Sequence, residues 1–202
     1  MTRHQGVGAV LFAVLVAASV GFSGSRYQRS GASQNLGHSS DLNELRARFS
    51  RDKGKVRLLL LLSPTCRGCL RGASEVQSKV LDKIKDPDLR VYVVYLPILA
   101  GDQESSVPAA TKQIPDGRVS YFWDSKGELG EVYSRVLQIP EGKTAWDVYL
   151  IFDRNPEWKE SPPVPNYWMH QLWALWEVAP ERRFDADKLG GEVKKLLQPG
   201  TH

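Results

Sequence analysis

The sequence predicts an α/β domain, and three consecutive stretches carry that prediction. Val56–Leu62 is an unbroken apolar run apart from Arg57, the pattern of a strand covered on both faces. From about residue 66, Leu70, Ala73, Val76, Val80, Leu81 and Ile84 recur at spacings of three and four, the signature of an amphipathic helix that stops before Asp86-Pro87-Asp88. Residues 90–98 are β-branched and aromatic and end at Gly101-Asp102, so they read as a second strand. Strand, helix and strand within about 40 residues make a right-handed βαβ unit with a parallel pair.

The elements on either side follow in chain order. Residues 1–24 combine a positive start at Arg3 with an uncharged apolar stretch over 7–22 and the small residues Ser23 and Gly24, which predicts a signal peptide or membrane anchor and an exported, extracytoplasmic protein. Residues 25–40 are rich in Ser, Gly, Gln and Asn and offer almost nothing apolar to bury, so they read as a flexible tether. The folded domain is expected over 41–198. Asp41 and Glu44 form an N-terminal helix signal, with Leu42, Leu45 and Phe49 on one face.

Beyond the βαβ unit the pattern is looser. A short helix is expected over 105–113, a strand over 119–123, a helix over 128–137 and a strand over 146–152, closed by Asp153-Arg154-Asn155-Pro156. Pro162-Pro163-Val164-Pro165 marks a stiff turn. A last helix is expected from about 185 to 197, presenting Leu189, Val193, Leu196 and Leu197 despite Gly190-Gly191.

A chain of 202 residues, 42% hydrophobic, supports one well-buried core and reads as a monomer. Its net charge of +4 is too small for a nucleic-acid footprint, so no nucleic-acid partner is expected. The basic run Arg46, Arg48, Arg51, Lys53, Lys55 and Arg57 reads as a solvated face and linker.

The only two cysteines stand in Cys66-Arg67-Gly68-Cys69, directly after the first strand and at the start of its helix. Two thiols at this spacing close a disulfide with each other or hold a soft metal; with no third cysteine they cannot staple distant parts of a fold. A thiolate at a helix N-terminus is stabilised by unpaired N–H groups and the helix dipole, and Arg67 adds a positive charge, so Cys66 should be the more acidic thiol. Thiol–disulfide exchange, soft-metal binding and an inert structural disulfide are the three readings the residues allow.

The order of elements from Asp41 to Leu197, with Ser63-Pro64-Thr65-Cys66-Arg67-Gly68-Cys69 at the strand-to-helix junction, resembles the thioredoxin-like superfamily. The resemblance implies a three-layer sandwich, with a central mixed sheet flanked by helices. It implies Cys66 as the attacking thiol and Cys69 as the resolving one, with protein thiols or disulfides as substrates, a membrane or exported redox partner, and no cofactor. Thr65 replaces the tryptophan usual before the first cysteine, and Leu60 and its neighbours stand where the family buries a carboxylate on the central strand. The family's proline opposite the dithiol is also missing, and Asp147 falls in its place. A carboxylate there either raises the Cys66 pKa or accepts a proton from a thiol; the alternative is a strand-edge residue capped by a backbone or arginine partner.

A second constellation is Tyr167-Trp168-Met169-His170-Gln171-Leu172-Trp173, followed by Trp176. His170 is the only histidine outside the leader, tether and C-terminal tail. Copper chaperones of the Sco type, which the chain resembles less completely, combine two cysteines with one distant histidine. By that resemblance Cys66, Cys69 and His170 would be a copper site, whereas a lone histidine among aromatics is ordinarily a packed, hydrogen-bonded side chain.

Overall fold

A computed structural model of the chain describes residues 1–2, 41–175, 177 and 179–198. The expected export segment and tether, and Trp176, lie outside the described residues. The ordered elements run α1 (Asp41–Arg51), β1 (Val56–Leu62), α2 (Arg67–Glu75) continuing as a π-helical segment (Val76–Leu81), β2 (Leu89–Tyr95), α3 (Val107–Ala110), β3 (Val119–Trp123), α4 (Glu128–Val136), β4 (Val148–Phe152), β5 (Tyr167–His170) and α5 (Ala186–Leu197).

The five strands form one mixed sheet in the order β3-β2-β1-β4-β5. β1 pairs in parallel with β2, from Val56↔Leu89 to Leu62↔Tyr95, and β2 pairs in parallel with β3. On the other side β4 runs antiparallel to β1, with Leu59 opposite Leu150, and β5 runs antiparallel to β4, with Val148 opposite His170.

The apolar run of β1 reflects burial on both faces. Leu58, Leu60 and Leu62 pack with Cys69, Ala73 and Val76 of the following helix and with Leu189 and Val193 of α5. Leu59 and Leu61 pack the opposite way, with Leu45 and Phe49 of α1 and Leu129 and Tyr133 of α4. Alternation of side chains along a strand makes this two-sided arrangement obligatory.

Arg57 departs from the solvated face expected for the basic run, because it is fully buried. Burying the five leucines of β1 contributes on the order of 10 kcal/mol, which outweighs the several kcal/mol cost of taking one cation out of water. Three carbonyls reduce that cost: the Arg57 guanidinium donates to Phe49 O at 3.1 Å, Pro156 O at 2.8 Å and Asp153 O at 2.7 Å. It also lies 4.3 Å from the Phe49 ring centroid.

Other differences are local. The helix expected over 105–113 is split into 3-10 turns at Glu104–Ser106 and Thr111–Gln113 around α3. β2 stops at Tyr95 rather than 98, since the backbone N–H groups of Ile98 and Leu99 turn to Asp102. β4 begins at Val148 rather than Trp146, because Asp147 takes a positive φ of 51° that no strand residue adopts. At the chain's end Asp185 caps α5, accepting from the N–H groups of Asp187 and Lys188 at 2.9 Å.

Candidate functional site

The site lies where β1 hands the chain to α2. β1 ends at Leu62, and the turn Ser63-Pro64-Thr65 leads to Cys66, the N-cap of α2, in an extended conformation (φ −72°, ψ 118°). Asp102, in the loop after β2, fastens this turn. Its Oδ1 accepts from Ser63 Oγ at 3.0 Å, Thr65 N at 3.2 Å and Thr65 Oγ1 at 2.6 Å, and its Oδ2 accepts from the N–H groups of Ile98 at 2.9 Å and Leu99 at 2.7 Å. Burial alone would raise the Asp102 carboxyl; the donors of Leu99, Thr65, Ser63 and Ile98 outweigh it and hold it below the usual carboxylate range.

The two cysteines are free thiols in different surroundings. Cys66 is partly exposed and Cys69 is buried. Cys66 Sγ accepts the backbone N–H of Cys69 at 3.4 Å, so the first cysteine is itself the capping group of the helix. The Cys66 pKa is lowered to about 6, chiefly by the Cys69 thiol, then by the N–H groups of Cys69 and Gly68, against partial burial and the negative charge of Asp147. Burial, joined by the interaction with Cys66 and the Asp147 charge, pushes the Cys69 thiol far upward.

Asp147 faces this pair. One of its carboxylate oxygens, Cys66 Sγ and Cys69 Sγ all lie within 4.8 Å of one another, and Asp147 is only 4% exposed. Asp147 Oδ1 accepts from Tyr149 Oη at 3.0 Å and from Gln171 Nε2 at 3.1 Å, while Gln171 Nε2 also contacts Tyr149 Oη at 2.8 Å. The Gln171 amide lies 3.4 Å from Gly68 O as well, joining the end of β5 to the first turn of α2. Burial raises the Asp147 carboxyl, with the polar hydrogens of Tyr149, Gln171 and Cys69 pulling the other way. Its hydrogen-bonding partners are Tyr149 and Gln171, with the Cys69 thiol beside them, and the positive charge of Arg71 adds a smaller pull in the same direction.

A dithiol at the C-terminal end of β1, a parallel β1-α2-β2 crossover, an antiparallel β4-β5 pair and a closing helix decide the architecture. The fold is thioredoxin-like. No protein-family model and no curated protein matches the sequence. Solved structures similar to this thioredoxin-like chain include a putative protein disulfide isomerase from Bacteroides thetaiotaomicron (13% identity, 76% of this chain and 80% of that one, TM-score 0.49). A secreted Mycobacterium tuberculosis disulfide oxidoreductase homologous to E. coli DsbE has 12% identity over 72% of this chain and 85% of its own, with a TM-score of 0.45. A SCO1/SenC family lipoprotein from Bacillus anthracis has 13% identity over 73% and 84%, with a TM-score of 0.48.

Within the thioredoxin-like frame, His170 sits apart from the cluster. It is fully buried, its Nε2 contacts Ala179 O at 3.2 Å and its Nδ1 accepts from Leu172 N at 3.1 Å. Both ring nitrogens are thus committed to backbone in a neutral tautomer, and burial lowers the pKa. The residues brought together as potential ligands among those described are Cys66, Cys69 and Asp147, so a copper set that needs His170 does not fit the arrangement. The aromatic stretch splits: Trp168 is half-buried beneath Arg182, 4.8 Å from its ring centroid, and Trp173 is 85% exposed.

Sequence reasoning missed Asp102, which looked like a strand stop, and Tyr149 and Gln171. Tyr149 had a signal, since residues two apart on a strand share a face and Asp147 was already singled out. Gln171 had none, because β5 was not recognised as a strand.

Proposed function

We propose that the chain is a thiol:disulfide oxidoreductase that exchanges disulfides with protein cysteines through Cys66 and Cys69. The observation that carries this reading is the contrast between the two thiols: Cys66 is accessible and held as an acidic thiol by the first turn of α2, and Cys69 waits buried one turn away.

In the reducing direction, the Cys66 thiolate attacks one sulfur of a substrate disulfide, and the S–S bond breaks to leave a mixed disulfide and a substrate thiolate. Cys69 then gives up its proton and attacks Cys66 Sγ, releasing the second substrate thiolate and closing the Cys66–Cys69 disulfide. Two electrons pass from the dithiol to the substrate, and a redox partner must return them; run backwards, the same steps donate a disulfide. Asp147 supports the second step. Its raised pKa makes it a stronger base than an ordinary carboxylate, and it stands within reach of the buried thiol that must lose a proton. The apolar stretch over 7–22 supports an exported setting, where such a disulfide persists.

The test is insulin reduction and dithiol-peptide oxidation by the purified domain. Cys66→Ser should abolish both, and Cys69→Ser should accumulate mixed disulfides. A wild-type protein inert towards good reductants and good oxidants alike would overturn the reading.

A further inference from the structure

We propose that the reduced site is also a zinc-binding site, in which Cys66, Cys69 and Asp147 supply two sulfurs and one oxygen to a single Zn²⁺ and leave its fourth position open. The proposal goes beyond thiol exchange and does not depend on it.

Four observations carry it. The three donor atoms already lie within 4.8 Å of one another. In a tetrahedron, Zn–S bonds of about 2.3 Å and a Zn–O bond of about 2.0 Å set the sulfurs roughly 3.8 Å apart and each sulfur roughly 3.5 Å from the oxygen, so closing onto an ion needs no more than about 1.3 Å of movement in any pair. The carboxylate is pre-oriented. Tyr149 and Gln171 both bind Oδ1, the outer-shell support that metal-ligating carboxylates ordinarily have.

The other oxygen borders the same small space as the first thiol. A Cβ placed on Gly68 would lie 3.6 Å from Asp147 Oδ2 and 3.6 Å from Cys66 Sγ, and glycine leaves that space unfilled. Finally, Cys69 and Asp147 are almost wholly buried, so their donor atoms are held out of water and would give up any proton to a bound cation, while partly exposed Cys66 provides an entry.

The donor chemistry points to zinc. Thiolates suit both Cu⁺ and Zn²⁺, but a carboxylate oxygen as third ligand favours the borderline ion over the soft one, and His170 has no ring nitrogen to offer. Disulfide formation would dismantle the site: the two thiolates give two electrons to a substrate disulfide, the S–S bond between Cys66 and Cys69 forms, and Zn²⁺ leaves with two substrate thiolates formed.

The experiment titrates the reduced, metal-free chain with Zn²⁺ against a chromophoric chelator, and with Co²⁺ to read sulfur-to-metal charge transfer and tetrahedral d–d bands. One zinc per chain is expected, with no uptake by the oxidised chain or by Cys69→Ser. Asp147→Ala and Asp147→Asn should each weaken binding at least about 10-fold, and His170→Ala should leave it unchanged. Near-UV circular dichroism checks that each variant keeps its fold. Absence of uptake by the wild type, or wild-type affinity in both folded Asp147 variants, would overturn the proposal. So would an equal loss in His170→Ala. Because no substrate is present, these outcomes are read independently of exchange activity.

Discussion

The hydroxyl of Tyr149 occupies the space that any side chain at Gly72 would claim: a Cβ built on Gly72 would lie 2.0 Å from Tyr149 Oη and 2.5 Å from Gln171 Nε2. α2 can therefore lie against β4 with the Tyr149 hydroxyl in its place on Asp147 only because residue 72 has no side chain. Tyr149 has little room to retreat, since it is fully buried and its ring stacks on Phe184 at 4.0 Å.

Gly72→Ala should accordingly cost about 1–3 kcal/mol, the usual penalty of overpacking a well-filled core, and should detach Tyr149 from Asp147. Urea denaturation of Gly72→Ala beside Gly68→Ala makes the comparison specific. At Gly68 the added methyl meets only ordinary contacts of 3.6 Å, and alanine is the better helix former by about 1 kcal/mol. Gly68→Ala should be near neutral; an equal loss in the two variants would contradict the packing argument.

The relation between these residues also marks how far the sequence could be read. β1 and β3 coincide with their expected bounds, α4 and α5 nearly so, and α1 lies where a short helix was expected, because each signal sits in contiguous residues: continuous apolar or aromatic runs in the strands, apolar residues three and four apart in the helices. Cys66 and Cys69 were legible for the same reason: their setting is local, a strand, a turn and a helix start. Asp147 was legible only through the resemblance to a family that has proline there. Of the partners that give it a role only Tyr149, two residues along the same stretch, had a signal; Gly72 and Gln171 come from α2 and the end of β5, and nothing in sequence spacing brings those together with Asp147. β5 itself is four residues long and follows a proline-rich turn, too short for alternation to stand out.

Asp147→Asn keeps the shape of the side chain and removes its basicity. If the carboxylate takes the Cys69 proton, resolution of the mixed disulfide should slow by about 10²-fold, the lower end of what a positioned base contributes. Formation of the mixed disulfide by Cys66 should be affected far less. Tyr149→Phe leaves Asp147 Oδ1 with Gln171 as its remaining side-chain donor, so it should slow the same step less and cost about 1 kcal/mol of stability. Rapid-quench separation of the two steps with a disulfide peptide checks both variants.

The acidity of Cys66 gives a pH signature. In metal-free reduced protein, iodoacetamide should alkylate Cys66 with a midpoint at about pH 6, while buried Cys69 stays unmodified in the folded state. The folded pKa of Cys66 is depressed from 9.0, so its ionisation favours the reduced folded state above pH 9, and that contribution is lost as pH falls from about 9 to about 6. Cys69 acts in the opposite sense, its thiol being raised, and its effect begins only above the unfolded thiol value. Between about pH 6 and 9 the reduced form should therefore gain stability relative to the oxidised form as pH rises. Thermal unfolding of both forms across that window checks the sign.

The loop before the dithiol rests on one carboxylate. Asp102 accepts from two hydroxyls and three backbone N–H groups, and it is 9% exposed. Asp102→Ala strands these donors in a buried setting, and a charged hydrogen bond is worth about 1.5–3 kcal/mol, so a loss of about 3 kcal/mol is expected even after water enters. Thr65→Ala removes one donor and should cost less. The sign of the pH dependence follows from the lowered pKa: the contribution is complete above the ordinary carboxylate range and is lost as acid protonates Asp102 through its folded value. Wild type and Asp102→Ala should thus differ most at neutral pH and converge in acid. Because Ser63 Oγ, which donates to Asp102, also receives the backbone N–H of Cys66 at 3.2 Å, releasing the carboxylate should loosen the cap that positions the Cys66 sulfur. Cys66 alkylation in Asp102→Ala should then need a higher pH than in the wild type; an unchanged midpoint would separate the stability of the loop from the acidity of the thiol.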